Sequence, residues 1–328
     1  GLKPNLRDIS YLKKHYPKNI VMASIMGFSN QEWADLAKAA ADSGADMLEL
    51  NFSCPHMAVE GSGARVGQVN DLVRKFTETA RSVTRLPLVA KLTPNVADIN
   101  ESAMAAKSGG ADGISAINTV AGLSEVNLDN FIPQPDVFGK GAISGYSGPA
   151  IKPIGLRFIA QLAKNKELGL PLSGIGGIET WVDALEYILL GAATVQVTTG
   201  VIHYGYGIVG DMIEGLSDYM AQRKISRVAD LVGKALTNVH ETSDFDVRRQ
   251  GIARYELDRC VGCGQCYTVC RDAGGSALEW NAKKRRPVLT EAKCLSCMVC
   301  SFVCPVYGLI TFKEMPKTWK RRKTLTLG

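Results

Sequence analysis

The feature that most constrains this chain is a doubled cysteine motif towards its C-terminal end. In each copy, three cysteines stand two residues apart and a fourth follows after three more, with Pro305 behind the second copy and Arg271 in that place in the first. Iron–sulfur proteins use this spacing to hold two 4Fe-4S clusters, the fourth cysteine of each motif binding the other cluster. We therefore predict two ligand sets, Cys260, Cys263, Cys266 and Cys304 for one cluster and Cys294, Cys297, Cys300 and Cys270 for the other.

Zinc is the alternative metal, because paired C-x-x-C sequences also form structural zinc sites. Each such site needs only four ligands, however, and eight cysteines in this doubled spacing favour iron–sulfur clusters. The motif thus predicts a protein that transfers electrons one at a time.

Composition limits the partners and the compartment. Of 328 residues, 46% are hydrophobic and 21% charged, and the formal charge of +6 is too small to indicate a nucleic-acid partner. No apolar run approaches the roughly 20 residues that span a bilayer, and no signal-peptide pattern opens the chain. The ninth cysteine, Cys54, leaves none for a disulfide framework, which fits a reducing compartment. We therefore expect a cytoplasmic protein that binds neither membrane nor nucleic acid.

Residues 18–222 alternate short apolar runs with amphipathic stretches, which predicts a parallel sheet covered by helices. The last two apolar runs end in GIGG and VTTG, and eight-stranded (β/α) barrels commonly grip a phosphate with the loops after strands seven and eight. The fold class predicted is therefore α/β, a (β/α)8 TIM-type barrel whose first two βα units are missing. Strands are predicted at 20–26, 47–52, 87–92, 113–118, 172–176 and 194–199, and helices from a Ser29–Glu32 capping box and near 70–84, 97–108, 152–165, 179–190 and 205–222.

Four segments follow one another along the chain. They are predicted to be a partial barrel domain at 1–235, a polar linker at 236–256, a ferredoxin domain with two 4Fe-4S clusters at 257–314, and a basic tail at 315–328. Residues 120–149 form a long connection rich in Gly, Ser, Asn and Pro inside the barrel domain, and such connections often shape a pocket. The basic tail is interpreted as a solvated chain end.

The cofactor is predicted from the two domains together. A barrel that feeds iron–sulfur clusters needs a centre that exchanges single electrons with iron and a hydride with an organic molecule, and flavin does both. Gly176, Gly177, Thr198 and Thr199 can offer N–H and hydroxyl groups to the phosphate of FMN, although glycines at strand ends are also simple turn formers. Lys91, in the apolar run LVAKLT, could place a cation beside flavin N1 and O2, or else emerge at the barrel rim.

Polar residues at other strand ends predict where a substrate binds. Asn51, Asn118 and Thr119 can bind the amide edge of a ring from the C-terminal face of the barrel. Cys54 follows at the same rim, and we interpret it as the catalytic residue rather than as a buried small hydrophobe. Residues 55–68, which contain three glycines, form either a mobile lid or a surface loop, and their GSGARVG is mis-spaced for a dinucleotide site.

Taken together, these strings resemble dihydropyrimidine dehydrogenases over nearly the whole chain. The resemblance rests on Asn51-Phe52-Ser53-Cys54-Pro55-His56, Ala90-Lys91-Leu92-Thr93-Pro94-Asn95, Asn118-Thr119, GIGGIE and the doubled cysteine motif. It implies reversible reduction of uracil or thymine to the 5,6-dihydropyrimidine, in pyrimidine catabolism. It also implies that electrons from NADH pass through a separate FAD subunit and the 4Fe-4S clusters to FMN, in a hetero-oligomer.

The resemblance also assigns residues. Cys54 gives a proton to C5 of the pyrimidine while hydride reaches C6, and Asn51, Asn118 and Thr119 contact the substrate. In this family two further strands add flavin and substrate contacts, so the resemblance implies that the chain as given binds FMN weakly or is inactive. The FMN contacts fall on Lys91, Gly148, Gly176, Gly177, Thr198 and Thr199.

Two other functions stay open. A ferredoxin-fused dihydroorotate dehydrogenase-like enzyme would use the same FMN barrel, because the pocket asparagines serve either ring. An electron-carrying ferredoxin protein without catalysis would bind no flavin.

Overall fold

The structure, a computed structural model, describes residues 1–52, 63–245 and 251–314, and the chain divides into two compact units, Gly1–Val239 and His240–Gly328. Each unit has its own hydrophobic core. Within the described residues, no helix has both the length and the apolar character needed to cross a membrane.

The first unit is built from alternating strands and helices. Its strands are β1 (Met22–Ile25), β2 (Met47–Asn51), β3 (Leu88–Lys91), β4 (Gly113–Ala116), β5 (Val120–Gly122), β6 (Ser144–Tyr146), β7 (Leu172–Ile175) and β8 (Thr194–Gln196). Its helices are α1 (Leu2–His15), α2 (Asn30–Asp42), α3 (Asn70–Val83), α4 (Ile99–Ser108), α5 (Lys152–Lys164), α6 (Trp181–Leu189), α7 (Thr199–Tyr204) and α8 (Gly207–Gln222).

A six-stranded parallel sheet forms the centre of this unit, in the order β1-β2-β3-β4-β7-β8. All four residues of β4 and of β7 are buried, as expected for parallel strands with helices packed on them. These are the six strands predicted from the sequence, and the predicted fold class is confirmed. The prediction was wrong at the end of the last strand, because Thr199 begins α7 instead of continuing β8.

Two elements differ from the sequence prediction. At the start of α2, the Glu32 N–H donates to Ser29 Oγ over 3.2 Å, but the Glu32 carboxylate accepts from the Phe28 N–H at 2.7 Å, so only half of the capping box forms. Helix α1 was not predicted; none of its residues is fully buried, although Ile9 packs against the core. An ion pair of 2.7 Å between Lys13 and Asp46 attaches it to the unit.

The long connection at 120–149 contains an antiparallel hairpin of β5 and β6, in which Val120 pairs with Tyr146. The hairpin starts directly after the end of β4 and returns the chain to the same edge of the sheet. It therefore delivers residues 147 and 148 to the C-terminal ends of the strands.

The second unit is small and contains two antiparallel strand pairs, Gly251–Tyr255 with Ile310–Glu314 and Leu278–Asn281 with Arg286–Leu289. Its core consists of a few apolar residues and the buried Cys266, so the cysteines themselves form part of the interior. The elements are β9 (Gly251–Tyr255), α9 (Gln265–Ala273), β10 (Leu278–Asn281), β11 (Arg286–Leu289), α10 (Val299–Phe302) and β12 (Ile310–Glu314).

Candidate functional site

A cavity of about 190 Å³ lies at the C-terminal ends of the strands of the first unit. Lys91 is the last residue of β3 and Gln196 the last of β8, while most of the remaining lining follows β4, β7 and β8. Parallel strands bring their carboxyl ends to one edge, so residues distant in sequence meet here. Among the residues around the cavity are eight of the predicted FMN and substrate residues: Lys91, Asn118, Thr119, Gly148, Gly176, Gly177, Thr198 and Thr199.

At one part of the cavity, backbone from three loops converges, and we call this the glycine cradle (Ser147, Gly148, Gly176, Gly177, Thr198 and Thr199). Gly148 and Gly177 have φ angles of 88° and 68°, which favour glycine. A Cβ atom on Gly177 would lie 2.8 Å from the Gly148 carbonyl oxygen and 2.9 Å from Lys152 Cβ. Beside them the Thr199 hydroxyl donates to Ser147 Oγ over 3.1 Å. Backbone N–H groups and hydroxyls arranged in this way suit a phosphate group.

Tyr187 of α6 supports the glycine cradle from within the core. Its side chain is fully buried, and its hydroxyl donates to the Gly176 carbonyl oxygen over 2.7 Å. A Cβ atom on Gly174 would collide with the Tyr187 ring, which explains glycine at that strand position. Burial raises the pKa of Tyr187, and the charges of Asp183 and Glu186 raise it further, so the phenol stays protonated as a donor.

Lys152 links the start of α5 to α6. Its ammonium group lies 2.6 Å from Asp183 Oδ1 and 2.8 Å from Glu186 Oε2. Burial alone would lower the pKa of Lys152, but hydrogen bonds to these carboxylates outweigh burial and raise it. Burial would likewise raise the pKa of Asp183, but hydrogen bonds from Lys152, Thr180 and the Glu179 N–H hold it below the ordinary 3.8. The pair is therefore ionised at neutral pH.

Lys91 belongs to a buried polar network centred on Glu49, which the sequence analysis missed. Glu49 is only 3% exposed. Its carboxylate accepts hydrogen bonds from Ser24 at 3.0 Å, Ser115 at 2.9 Å and Gln196 at 2.9 Å, and lies 3.3 Å from Lys91 Nζ. Donors from four strands thus compensate one buried charge and hold the Lys91 ammonium group at the cavity. The sequence signal that could have found it is a single acid inside the apolar strand MLELN.

The predicted substrate residues form a connected amide cluster. Asn118 donates to Asn51 Oδ1 over 2.9 Å and accepts from the Thr119 N–H at 2.8 Å, which brings Asn51 to the site. Asn95, a further residue that was not assigned, donates to the Thr119 carbonyl oxygen over 3.2 Å and accepts from the Ala121 N–H at 2.8 Å. The Thr119 hydroxyl is buried and has no hydrogen-bond partner among the described residues, so it is available to a bound molecule.

Cys54 lies outside the described residues, together with the rest of 53–62, and its catalytic role stays a prediction. Most of the predicted lid at 55–68 also lies outside them. Its last part forms a short 3-10 helix, Gly63–Gln68.

The eight motif cysteines of the second unit surround two small cavities of about 20 Å³ each. Each cavity takes three cysteines from one motif and the fourth cysteine of the other, which is the exchange that the spacing predicts. The first sulfur site is formed by Cys260, Cys263, Cys266 and Cys304, and the second sulfur site by Cys270, Cys294, Cys297 and Cys300.

Backbone geometry around the two sulfur sites is alike. Gly262 and Ser296 occupy the same motif position and have φ angles of 70° and 60°. Each site receives a backbone N–H to sulfur, from Gly262 to Cys260 at 3.4 Å and from Ala277 to Cys270 at 3.3 Å. Such turns wrap the chain around a compact group and direct N–H dipoles at its sulfurs.

The chemistry of the thiols fits an iron–sulfur cluster. Burial, opposed by a backbone hydrogen bond from Tyr267 and reinforced by the neighbouring thiols of Cys263, Cys300 and Cys260, raises the pKa of Cys266 to about 11. Four adjacent thiolates therefore need positive charge between them, which iron supplies. Within the described part of the chain, no three His, Cys, Asp or Glu side chains could hold a single metal ion. A cluster does not require that, because each thiolate binds a different iron.

Comparison with known proteins agrees with both parts of this description. Residues 1–220 match the dihydroorotate dehydrogenase family, and residues 253–312 match the 4Fe-4S dicluster domain. The NAD-dependent dihydropyrimidine dehydrogenase subunit PreA of Escherichia coli K12 is 48% identical over 96% of this chain and 78% of that protein. The dihydroorotate dehydrogenase B (NAD⁺) catalytic subunit of Pyrococcus abyssi is 42% identical over 66% of this chain and 69% of that protein.

A solved structure shows the same fold. The crystal structure of DHODH from Eimeria tenella in complex with ferulenol has a TM-score of 0.56 and 22% identity, covering 71% of this chain and 66% of that one. Fold and site therefore define an FMN-binding barrel oxidoreductase followed by a 4Fe-4S dicluster domain. The chain belongs to the dihydroorotate dehydrogenase family, and it is similar along almost its entire length to the PreA subunit of E. coli.

Proposed function

We propose that this protein catalyses the reversible reduction of uracil or thymine to the 5,6-dihydropyrimidine. The observation that carries the proposal is the 48% identity to a dihydropyrimidine dehydrogenase subunit over 96% of the chain, which includes both the barrel and the cysteine motifs. The P. abyssi dihydroorotate dehydrogenase subunit matches only 66% of it. Similarity over both units favours an enzyme that combines pyrimidine and iron–sulfur chemistry.

FMN is assigned to the cavity of the first unit. The glycine cradle, which admits no Cβ atom at Gly177, would hold its phosphate through N–H groups and the hydroxyl of Thr199. Lys91, held by Glu49 at 3.3 Å, would place its ammonium group near the N1 and O2 edge of the ring. Bound FMN would supply hydride to the pyrimidine and exchange single electrons with the iron–sulfur clusters.

The amide cluster is assigned to the substrate. A pyrimidine carries alternating carbonyl and N–H groups, and Asn51, Asn118 and Thr119 offer complementary donors and acceptors. The unpartnered hydroxyl of Thr119 would gain a hydrogen bond when the ring binds, which supports its role in orienting the substrate.

Cys54 is assigned as the proton donor. Saturation of the C5=C6 bond requires hydride at C6 and a proton at C5 of the resulting enolate, and a thiol at the strand end can give that proton. We expect Cys54→Ala to lower uracil reduction by about 100-fold or more, because general acid catalysis contributes this much. Cys54→Ser should retain a little activity, since a hydroxyl is a weaker acid.

The test is an anaerobic assay of uracil reduction with NADH and the partner subunit. Flavin content and the reducibility of FMN serve as controls, because the thiol has no part in electron delivery. A normal rate for Cys54→Ala would assign the proton to another group and refute this role.

NADH is proposed to deliver electrons through a separate subunit that binds FAD. PreA is itself named as a subunit, which indicates a hetero-oligomer. NADH should therefore reduce uracil only when the FAD subunit is added, whereas a chemical reductant should support turnover without it.

Dihydroorotate oxidation is the second candidate, supported by the 42% identity to the P. abyssi catalytic subunit. Turnover of dihydrouracil and dihydroorotate by the same preparation separates the two. A preparation without a flavin band beside the iron–sulfur absorption would instead favour the electron carrier without catalysis.

A further inference from the structure

Two buried hydroxyl groups of the second unit, those of Tyr255 and Ser296, have no hydrogen-bond partner of regular geometry among the described residues. A buried hydroxyl without a partner is destabilising, so each group is expected to meet an acceptor in the functional protein. Each of these two hydroxyl groups therefore needs a hydrogen-bond acceptor beside it.

Both residues are associated with the second sulfur site, Tyr255 through the lining of its cavity and Ser296 through its place in the chain. Ser296 stands between the ligands Cys294 and Cys297, and Tyr255 lines the cavity that these cysteines share with Cys270 and Cys300. The Tyr255 ring also lines the first sulfur site, but its hydroxyl lies close to the Cys300 thiol.

The first sulfur site lacks the counterpart of Ser296. Gly262 takes that place with nearly the same φ angle, so the two loops share a backbone and differ by a hydroxymethyl group. Backbone N–H groups donate to sulfur at both sites, from Gly262 and Tyr267 at the first and from Ala277 at the second, so backbone donors do not single out the second site. The hydroxyl donors are therefore an asymmetry between two otherwise similar sites.

Hydrogen bonds to thiolate or sulfide sulfur stabilise the more negative, reduced cluster and raise its reduction potential. We propose that Tyr255 and Ser296 donate hydrogen bonds to the cluster held by Cys270, Cys294, Cys297 and Cys300 and raise its potential. The proposal rests on the cluster assignment but not on the identity of the substrate. Arg285 donates to the Gly262 carbonyl oxygen over 3.3 Å, which brings positive charge to the first site as well. The informative quantity is thus the change in the reduction potential of one cluster when a hydroxyl is removed, and not the difference in potential between the two clusters.

The experiment is a redox titration of the anaerobically purified full-length protein, followed by electron paramagnetic resonance, for Tyr255→Phe, Ser296→Ala and the double variant. Tyr255→Phe should make reduction of one cluster about tenfold less favourable, a shift of about 59 mV for a one-electron couple. Ser296→Ala should lower the potential of the same cluster, and the double variant should lower it most.

The matched control is Tyr267→Phe, since the Tyr267 ring lies against Arg271 at 5.5 Å and lines neither sulfur site. It should leave both potentials unchanged, and iron and sulfide contents should match the wild type in every variant. If Tyr255→Phe failed to hold both clusters, Ser296→Ala would decide alone. The proposal is overturned if the two substitutions move different clusters, if they move both clusters equally, or if neither potential changes.

Discussion

The two units build their sites in opposite ways. In the second unit, each sulfur site comes from two short motifs, and three of its four ligands lie within seven consecutive residues. In the first unit, the cavity joins Lys91 to Thr199, more than a hundred positions away, through the order of the strands. Spacing along the chain therefore defines the metal sites, whereas topology defines the flavin site, and substitutions should affect the two in different ways.

The largest effect is expected from removing two cysteines at once. The double variant Cys270→Ser and Cys294→Ser removes two ligands of the same sulfur site, so iron should fall from about eight to about four atoms per chain. The double variant Cys270→Ser and Cys260→Ser removes one ligand from each sulfur site and should remove nearly all of the iron. Iron and sulfide analysis of the two double variants measures this. The opposite ranking would mean that each motif holds its own cluster without exchange.

Glu49→Gln tests the topological site at its buried centre. The substitution leaves the Lys91 ammonium group without its counter-charge, and breaking a buried ion pair typically costs about 3 kcal/mol or more of unfolding free energy. Ser115→Ala is the control, because it removes one hydrogen bond to the same carboxylate and should cost about 1 kcal/mol. Denaturant unfolding gives both values. Equal losses of unfolding free energy in the two variants would show that the charge of Glu49 contributes no more to stability than one hydrogen bond.

Gly177→Ala tests the glycine cradle. The added Cβ atom would meet the Gly148 carbonyl oxygen at 2.8 Å, so FMN should bind at least about tenfold more weakly, or about 1.4 kcal/mol. Gly169→Ala is the matched control, since its φ of 59° is equally unfavourable but its nearest neighbour, the Lys166 carbonyl oxygen, lies at 3.9 Å. It should lose stability and keep its flavin. Equal flavin loss in the two variants would assign the effect to backbone strain.

The smallest effect concerns pH. The folded-state pKa of Asp183 lies below 3.8, so its stabilising contribution is complete above that value and is lost as pH falls through the lower folded pKa. At pH 7, Asp183→Asn should lower the unfolding free energy by about 1 kcal/mol, a modest figure because both partners are partly exposed. The difference from wild type should shrink by pH 3.

Asp218→Asn, which removes an exposed carboxylate on α8, should change stability by less than about 0.5 kcal/mol at either pH. A difference for Asp183→Asn that persists unchanged at pH 3 would rule out the ion pair with Lys152 as its source.

The site residues that follow simple positional rules could be predicted from the sequence. The rule that barrel sites lie at strand ends brought Lys91, Asn118 and Thr198 into one hypothesis, and the structure places them around one cavity. The doubled motif specified the partition of the cysteines in the same direct way, because spacing is a local property.

What sequence reasoning missed depends on long-range contacts. Glu49 and Gln196 are single polar residues in short apolar strands, and their importance becomes visible only when Ser24, Ser115 and Lys91 are brought beside them. The hairpin of β5 and β6 was missed for a similar reason, since its three-residue strands show no period long enough to recognise.

The hydrogen bonds to Glu49 also show how strongly the six-stranded sheet is curved. Ser24 belongs to β1 and Gln196 to β8, the two outer strands of a six-stranded sheet that would span about 24 Å if flat. One carboxylate nevertheless accepts from both, at 3.0 Å and 2.9 Å. The sheet must therefore be so strongly curved that its two outer strands approach each other across a single side chain. The hydrogen bonds of one glutamate thus show the curvature of the entire six-stranded sheet.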